Sequence, residues 1–120
     1  MFEVPDKLDL VVFFEAEPIE SEPQDGLYYY KYVDSNEMEL YFSFHAIQKS
    51  IQIRLCFRGN DVMLISGELA TSMKVEEDRL GERITCLLES NQTRTAVIVR
   101  LKPAINVKWS MLENLGVDWN

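Results

Sequence analysis

From Ile51 to Arg58 the chain alternates strictly, with Ile51, Ile53, Leu55 and Phe57 interleaved by Gln52, Arg54, Cys56 and Arg58. A period of two sends the two sets to opposite sides of an extended strand, so one face is apolar and the other largely polar. The Gly59-Asn60-Asp61 cluster supplies turn chemistry before residues 62–66, and the two runs together predict a hairpin. A second hairpin is predicted from residues 27–33 and 38–44, both rich in Tyr and Phe and separated by Asp34-Ser35-Asn36. Downstream, residues 73–76 give a weak strand. Residues 83–89 and 94–102 give stronger ones joined through Ser90-Asn91-Gln92-Thr93, with Val97, Val99 and Leu101 on one face. After Pro103, Ile105, Val107 and Trp109 alternate with Asn106, Lys108 and Ser110 as a further strand, and residues 8–14 read as the first.

Strands of this number and spacing predict an all-β domain, or a mainly β one with one short helix: an antiparallel β-sandwich or small barrel of about eight strands. Its inward set is expected to be Ile51, Ile53, Leu55, Phe57, Val97, Val99, Leu101, Val107 and Trp109. Helix has little room. Residues 76–80 and 110–115, the latter with Gly116 as a stop, are each long enough for one short turn or helix.

Length and composition narrow this picture without changing it. At 120 residues, 1–120 is expected to be a single domain burying roughly two-thirds of its unfolded surface. A hydrophobic content of 47% separates it from disordered chains. The first residues lack a basic segment and a small-residue cleavage site, and no run approaches the roughly 18 apolar residues of a membrane span, so a cytoplasmic protein is expected. Cys56 and Cys86 lie in apolar stretches without CxxC spacing and read as buried free thiols.

Charge adds more. The net charge is −8, and residues 1–25 carry eight acids against Lys7 alone, so nearly all of the excess lies at one end of the chain. Such a field repels nucleic acid and attracts a basic protein. Its densest part is residues 15–26, EAEPIESEPQDG, whose two prolines and five acids exclude it from a central strand and make it a proline-containing acidic loop.

The chain offers little that resembles catalytic chemistry. No GxSxG, HExxH, phosphate-loop or dinucleotide-binding glycine pattern occurs. The one histidine, His45, follows Phe44 where a strand ends and reads as a turn residue. The acids crowd a solvated, proline-containing loop, and the calcium pattern D-x-[DN]-x-[DN]-G is not present. Asn91-Gln92-Thr93 matches a glycosylation acceptor but is more simply a turn. No enzyme, cofactor or metal site is therefore expected.

Tyrosines follow the acidic loop. Tyr28, Tyr30 and Tyr32 share one face of their strand, while Leu27, Tyr29, Lys31 and Val33 share the other, so at least one set is placed near solvent. Tyrosine serves interfaces because a large apolar ring carries a hydrogen-bonding tip, although core packing is the commoner use of any single ring.

An acidic β domain in which Glu15, Glu17, Glu20, Glu22 and Asp25 precede Leu27-Tyr28-Tyr29-Tyr30-Lys31-Tyr32 resembles the small immunity proteins of bacterial contact-dependent growth inhibition and related toxin systems. The resemblance rests on about a fifth of the chain and is one of type, not of a specific motif. It implies binding and neutralisation of a cognate toxin, commonly a cationic nuclease, by blocking its active cleft, with carboxylates imitating phosphates. The partner-binding residues are then expected to be Glu15, Glu17, Glu20, Glu22, Asp25, Tyr28, Tyr30 and Tyr32, with no direct nucleic acid or membrane contact. Two other readings stay open: a protein-binding module or assembly subunit of a larger complex, and a β-barrel enclosing a small apolar ligand.

Overall fold

The structure is a computed structural model that describes residues 1–114. Its elements are a helix α1 (Lys7–Phe14) and nine strands, β1 (Glu20–Glu22), β2 (Leu27–Val33), β3 (Met38–His45), β4 (Ser50–Phe57), β5 (Asn60–Gly67), β6 (Ala70–Asp78), β7 (Gly81–Glu89), β8 (Thr93–Arg100) and β9 (Asn106–Asn114). They form two antiparallel meanders, a five-stranded sheet ordered β1-β2-β3-β4-β5 and a four-stranded sheet ordered β6-β7-β8-β9. No pair of strands joins the two sheets among the described residues, so the architecture is a sandwich and not a closed barrel.

Both predicted hairpins form, but the first turns at Arg58 and Gly59, and Asn60 and Asp61, expected in its turn, already belong to β5. Arg58 and Gly59 both take positive φ, 51° and 82°, and close β4 onto β5 in the two-residue geometry that matches strand twist. Asp34 ends β2 by accepting backbone N–H bonds from Asn36 and Met38 through one carboxylate oxygen. Its other oxygen accepts from the Ile105 N–H at 3.0 Å, which ties the β2–β3 turn to the segment entering β9 in the opposite sheet. Burial works to raise the Asp34 pKa, but the three N–H donors outweigh it and hold the carboxyl below its usual value.

The core lies between the sheets. Leu40, Phe42, Phe44, Ile51, Ile53 and Leu55 from one sheet meet Met73, Ile84, Cys86, Val97 and Val99 from the other, with Leu101 just past the end of β8. Both thiols are free. Cys86 is fully buried, and burial pushes its thiol up to about 12. Cys56 donates to the Asp61 carboxylate at 3.0 Å.

Several expectations are corrected. Residues 8–14 are not a strand but belong to α1, and their apolar residues follow helical spacing: Leu10, Phe13 and Phe14 are buried while Leu8 and Val12 face solvent. Phe14 stacks on Tyr30 with ring centroids 4.6 Å apart, which fixes the helix against the inner face of β2. Residues 76–80 make no helical turn: Glu76 to Asp78 continue β6, and the Asp78 carboxylate caps the Leu80 N–H in the tight turn to β7. Strand β9 likewise runs through Ser110 to Asn114, where a turn or helix was expected, and Leu115 and Gly116 lie outside the described residues.

Of the expected inward set, Phe57 and Val107 are half-buried and Trp109 is exposed. Trp109 sits on an edge strand, and the nearby residue of β5 is Gly67, which has no side chain to cover the indole.

Candidate partner-binding face

The acidic segment is an ordered edge of the five-stranded sheet. After α1 the chain turns at Glu15, whose left-handed backbone caps the helix and whose carboxylate pairs with Lys102. β1 then pairs with β2 in the register Glu20↔Tyr29, Ser21↔Tyr28 and Glu22↔Leu27. A 3-10 turn over Pro23–Asp25 leads to Gly26, where φ is +71° and an added Cβ would lie 2.8 Å from the Ala46 side chain. Only glycine suits both the turn and that approach.

Register decides which acids and tyrosines share a surface. Tyr28, Tyr30 and Tyr32 point inward. Tyr30 is 1% exposed, and Tyr28 and Tyr32 pack partly buried against the core. Tyr30 therefore packs in the core. The opposite face carries Tyr29 and, from β3, Tyr41, with ring centroids 6.1 Å apart in an edge-to-face pair. Glu20 and Glu22 fall on that same outward face because they stand opposite Tyr29 and Leu27 in the ladder.

The outward face is built as a cross-strand network. Lys31, Tyr41, Arg54 and Leu64 stand opposite one another on β2, β3, β4 and β5. The Arg54 guanidinium lies over the Tyr41 ring at 4.3 Å, and the Lys31 ammonium lies over it at 5.4 Å. The Tyr41 hydroxyl donates to Glu39 at 2.9 Å, and Arg54 donates to Asp61 at 3.3 Å. The neighbouring Tyr29 raises the guanidinium pKa; desolvation opposes this, and the Asp61 charge adds to it. Four carboxylates, Glu20, Glu22, Glu39 and Asp61, thus surround two cations and two half-buried rings.

The remaining acids are placed separately. Asp25 is exposed in the 3-10 turn, and Glu17 lines a cleft between α1 and β1. Among the described residues, none of the ion pairs engages Glu17, Glu20, Glu22 or Asp25, so their field is directed to solvent. The Glu15–Lys102 pair is exposed on both sides, so solvent screens it. His45 has the turn role expected of it, its Nδ1 accepting the Gln48 N–H at 3.1 Å.

Sequence reasoning missed Tyr29, Tyr41, Arg54 and Lys31 as a group. The signal was available in β3, where Leu40, Phe42 and Phe44 form an apolar alternation that forces Tyr41 outward. The Asp34 turn fixes the register Lys31↔Tyr41 and carries that phase into β2, so Tyr29 follows.

Compared with solved structures, the chain matches a chain of the contact-dependent growth inhibition toxin–immunity protein complex from Klebsiella pneumoniae 342. The TM-score is 0.87 with 24% identity, covering 92% of this chain and 96% of that one. The two share a fold along essentially their whole lengths. No protein-family model matches the sequence, and no curated protein matches it. No helix among the described residues is long and apolar enough to cross a membrane.

Proposed function

We propose that this protein is the immunity partner of a contact-dependent growth inhibition toxin, a non-catalytic cytoplasmic protein that neutralises a cationic, nuclease-type toxin by covering its active cleft. The observation that carries this reading is the whole-length match in fold to a chain of a toxin–immunity complex. Charge favours the inhibitor's role over the toxin's. A net charge of −8 suits a protein that competes with nucleic acid for a basic cleft, and opposes one that must itself approach phosphates.

In this reading the outward face of the five-stranded sheet meets the toxin. Glu20, Glu22 and the neighbouring Asp25 and Glu17 supply long-range attraction, screened over about 8 Å at physiological ionic strength. Tyr29 and Tyr41, stiffened by Arg54, supply the desolvated centre that holds the complex once formed. Tyr28 and Tyr32 keep a supporting part at the inner side of the same strand. The test is to purify the protein with the toxin domain encoded beside it. Binding together with loss of toxin activity and rescue of growth on co-expression is expected, whereas a folded protein that neither binds nor protects sinks the proposal.

A second reading, an assembly subunit, is favoured by the edge strand β5. It carries Val62 and Leu64 at 54% and 61% exposure, with no proline or lysine to guard the edge. A dimer at micromolar concentration that dissociates on Leu64→Lys supports that alternative, and a monomer removes it.

A further inference from the structure

Between α1 and β1 lies a cleft of about 150 Å³ lined by Lys7, Val11, Glu17, Pro18, Ser21, Pro23, Tyr28 and Tyr30. Small-molecule sites usually enclose about 300–1,000 Å³, so this one fits a single long side chain better than a metabolite. Its floor is aromatic: Tyr28 stacks on Phe44, and Tyr30 stacks on Phe14. Its one carboxylate is Glu17, close enough that, after burial and Tyr28, it helps push the Tyr30 hydroxyl up to about 12.

The cation at the mouth is Lys7, the only base in the first 25 residues. Its ammonium rests over the Tyr28 ring at 5.5 Å. It joins none of the ion pairs among the described residues. It also sits in the first turn of α1, the helix end at which a positive charge is disfavoured. Among the described residues, then, the ammonium rests on a ring beside a carboxylate that joins none of the ion pairs, and such an ammonium is readily displaced.

Resting on the toxin-binding reading, we infer that this cleft receives one arginine side chain of the basic partner, which takes the place of Lys7 over Tyr28 and pairs with Glu17. Arginine fits better than lysine because its planar guanidinium stacks on a ring while its N–H groups engage a carboxylate. The excess of acids around the cleft favours an incoming cation, and Lys7 competes with it.

Substitutions of Lys7 and Glu17 should therefore act in opposite directions, although both remove one charge from an exposed position. The probe is arginine amide, with citrulline amide as the neutral control, titrated into the purified full chain while the Tyr28 ring signals are followed by NMR. Arginine amide should shift the Tyr28 signals and citrulline amide should not. The apparent affinity should rise about threefold to fivefold in Lys7→Gln and fall by a similar factor in Glu17→Gln, the size of one exposed cation–ring contact. Equal shifts from both amides, no shift from either, or the same change in the two variants overturns the inference. In a second arm the toxin domain replaces the amide. Wild-type protein that does not bind the toxin refutes the immunity reading and not the cleft. Toxin binding that is indifferent to both substitutions refutes the cleft and not the immunity reading.

Discussion

The hairpin of β2 and β3 uses one residue type for opposite purposes on its two faces. On the inner face Tyr30 is 1% exposed, stacked on Phe14 and neighboured by Phe42, so its ring belongs to the contact that holds α1 on the sheet. On the outer face Tyr29 and Tyr41 form an edge-to-face pair beside Arg54, half-buried and bordered by Glu20 and Glu39. Between Tyr29 and Tyr30 there is one step of chain and a full reversal of direction. Neither composition nor charge distinguishes the two rings; strand phase does. The inner ring stabilises the fold, and the outer pair offers large, rigid, amphipathic surface whose order does not depend on a partner.

That contrast is most strongly tested by truncation. Tyr30→Ala should cost about 3–5 kcal/mol of stability, the usual loss for a buried large aromatic. That is a large share of the roughly 5–15 kcal/mol available to a domain, and urea unfolding should report it as a much lower midpoint. Tyr29→Ala should leave the midpoint within about 1 kcal/mol of wild type yet weaken toxin binding by tenfold or more, chiefly through faster dissociation. If both substitutions unfold the protein equally, the outer pair is structural and the contrast fails.

A smaller effect is expected from the acids that border the outer pair. Glu20→Gln with Glu22→Gln should slow association several-fold at low salt, with the difference closing as ionic strength rises and stability changing by less than about 0.5 kcal/mol. Stopped-flow mixing with the toxin domain at several salt concentrations reads this directly. A salt-independent rate contradicts it.

The smallest effect belongs to the other sheet. The Asp78 carboxylate, with Arg100 donating to it and the Leu80 N–H adding to that, is held down at about 2. A carboxyl depressed in the folded state stabilises above its unfolded pKa of about 3.9, and that contribution disappears as pH falls toward the folded value. Acid titration of stability should therefore be steeper between about pH 4 and 2 in wild type than in Asp78→Asn, with toxin binding at neutral pH unchanged. Identical acid profiles would show that the Asp78–Arg100 pair leaves no mark on stability.

The strands of the sandwich were legible wherever one face was apolar and the other polar, as in β4, and wherever a turn sequence stood between two such runs. Residues 8–14 were not legible as a helix because Leu8, Val11 and Val12 are apolar on sides that do not enter the core, which blurs helical period into a continuous apolar run. β1 was hidden for the opposite reason: Glu20-Ser21-Glu22 is wholly exposed and is held by ladder bonds to β2 and not by burial. Trp109 was misplaced because alternation assigns a side but not whether an opposing strand covers it. The acidic, tyrosine-bearing character of the candidate face was visible in composition. Its membership was not, because tyrosines on both sides of β2 leave the phase of that strand undetermined until β3 is paired with it.

Hydroxyl-radical footprinting of the tyrosine side chains, with and without the toxin domain, tests the central claim most directly. Tyr29 and Tyr41 are expected to be modified in the free protein and protected in the complex, while Tyr30 is unreactive in both. Protection confined to β5, with Tyr29 and Tyr41 as reactive as before, would contradict it.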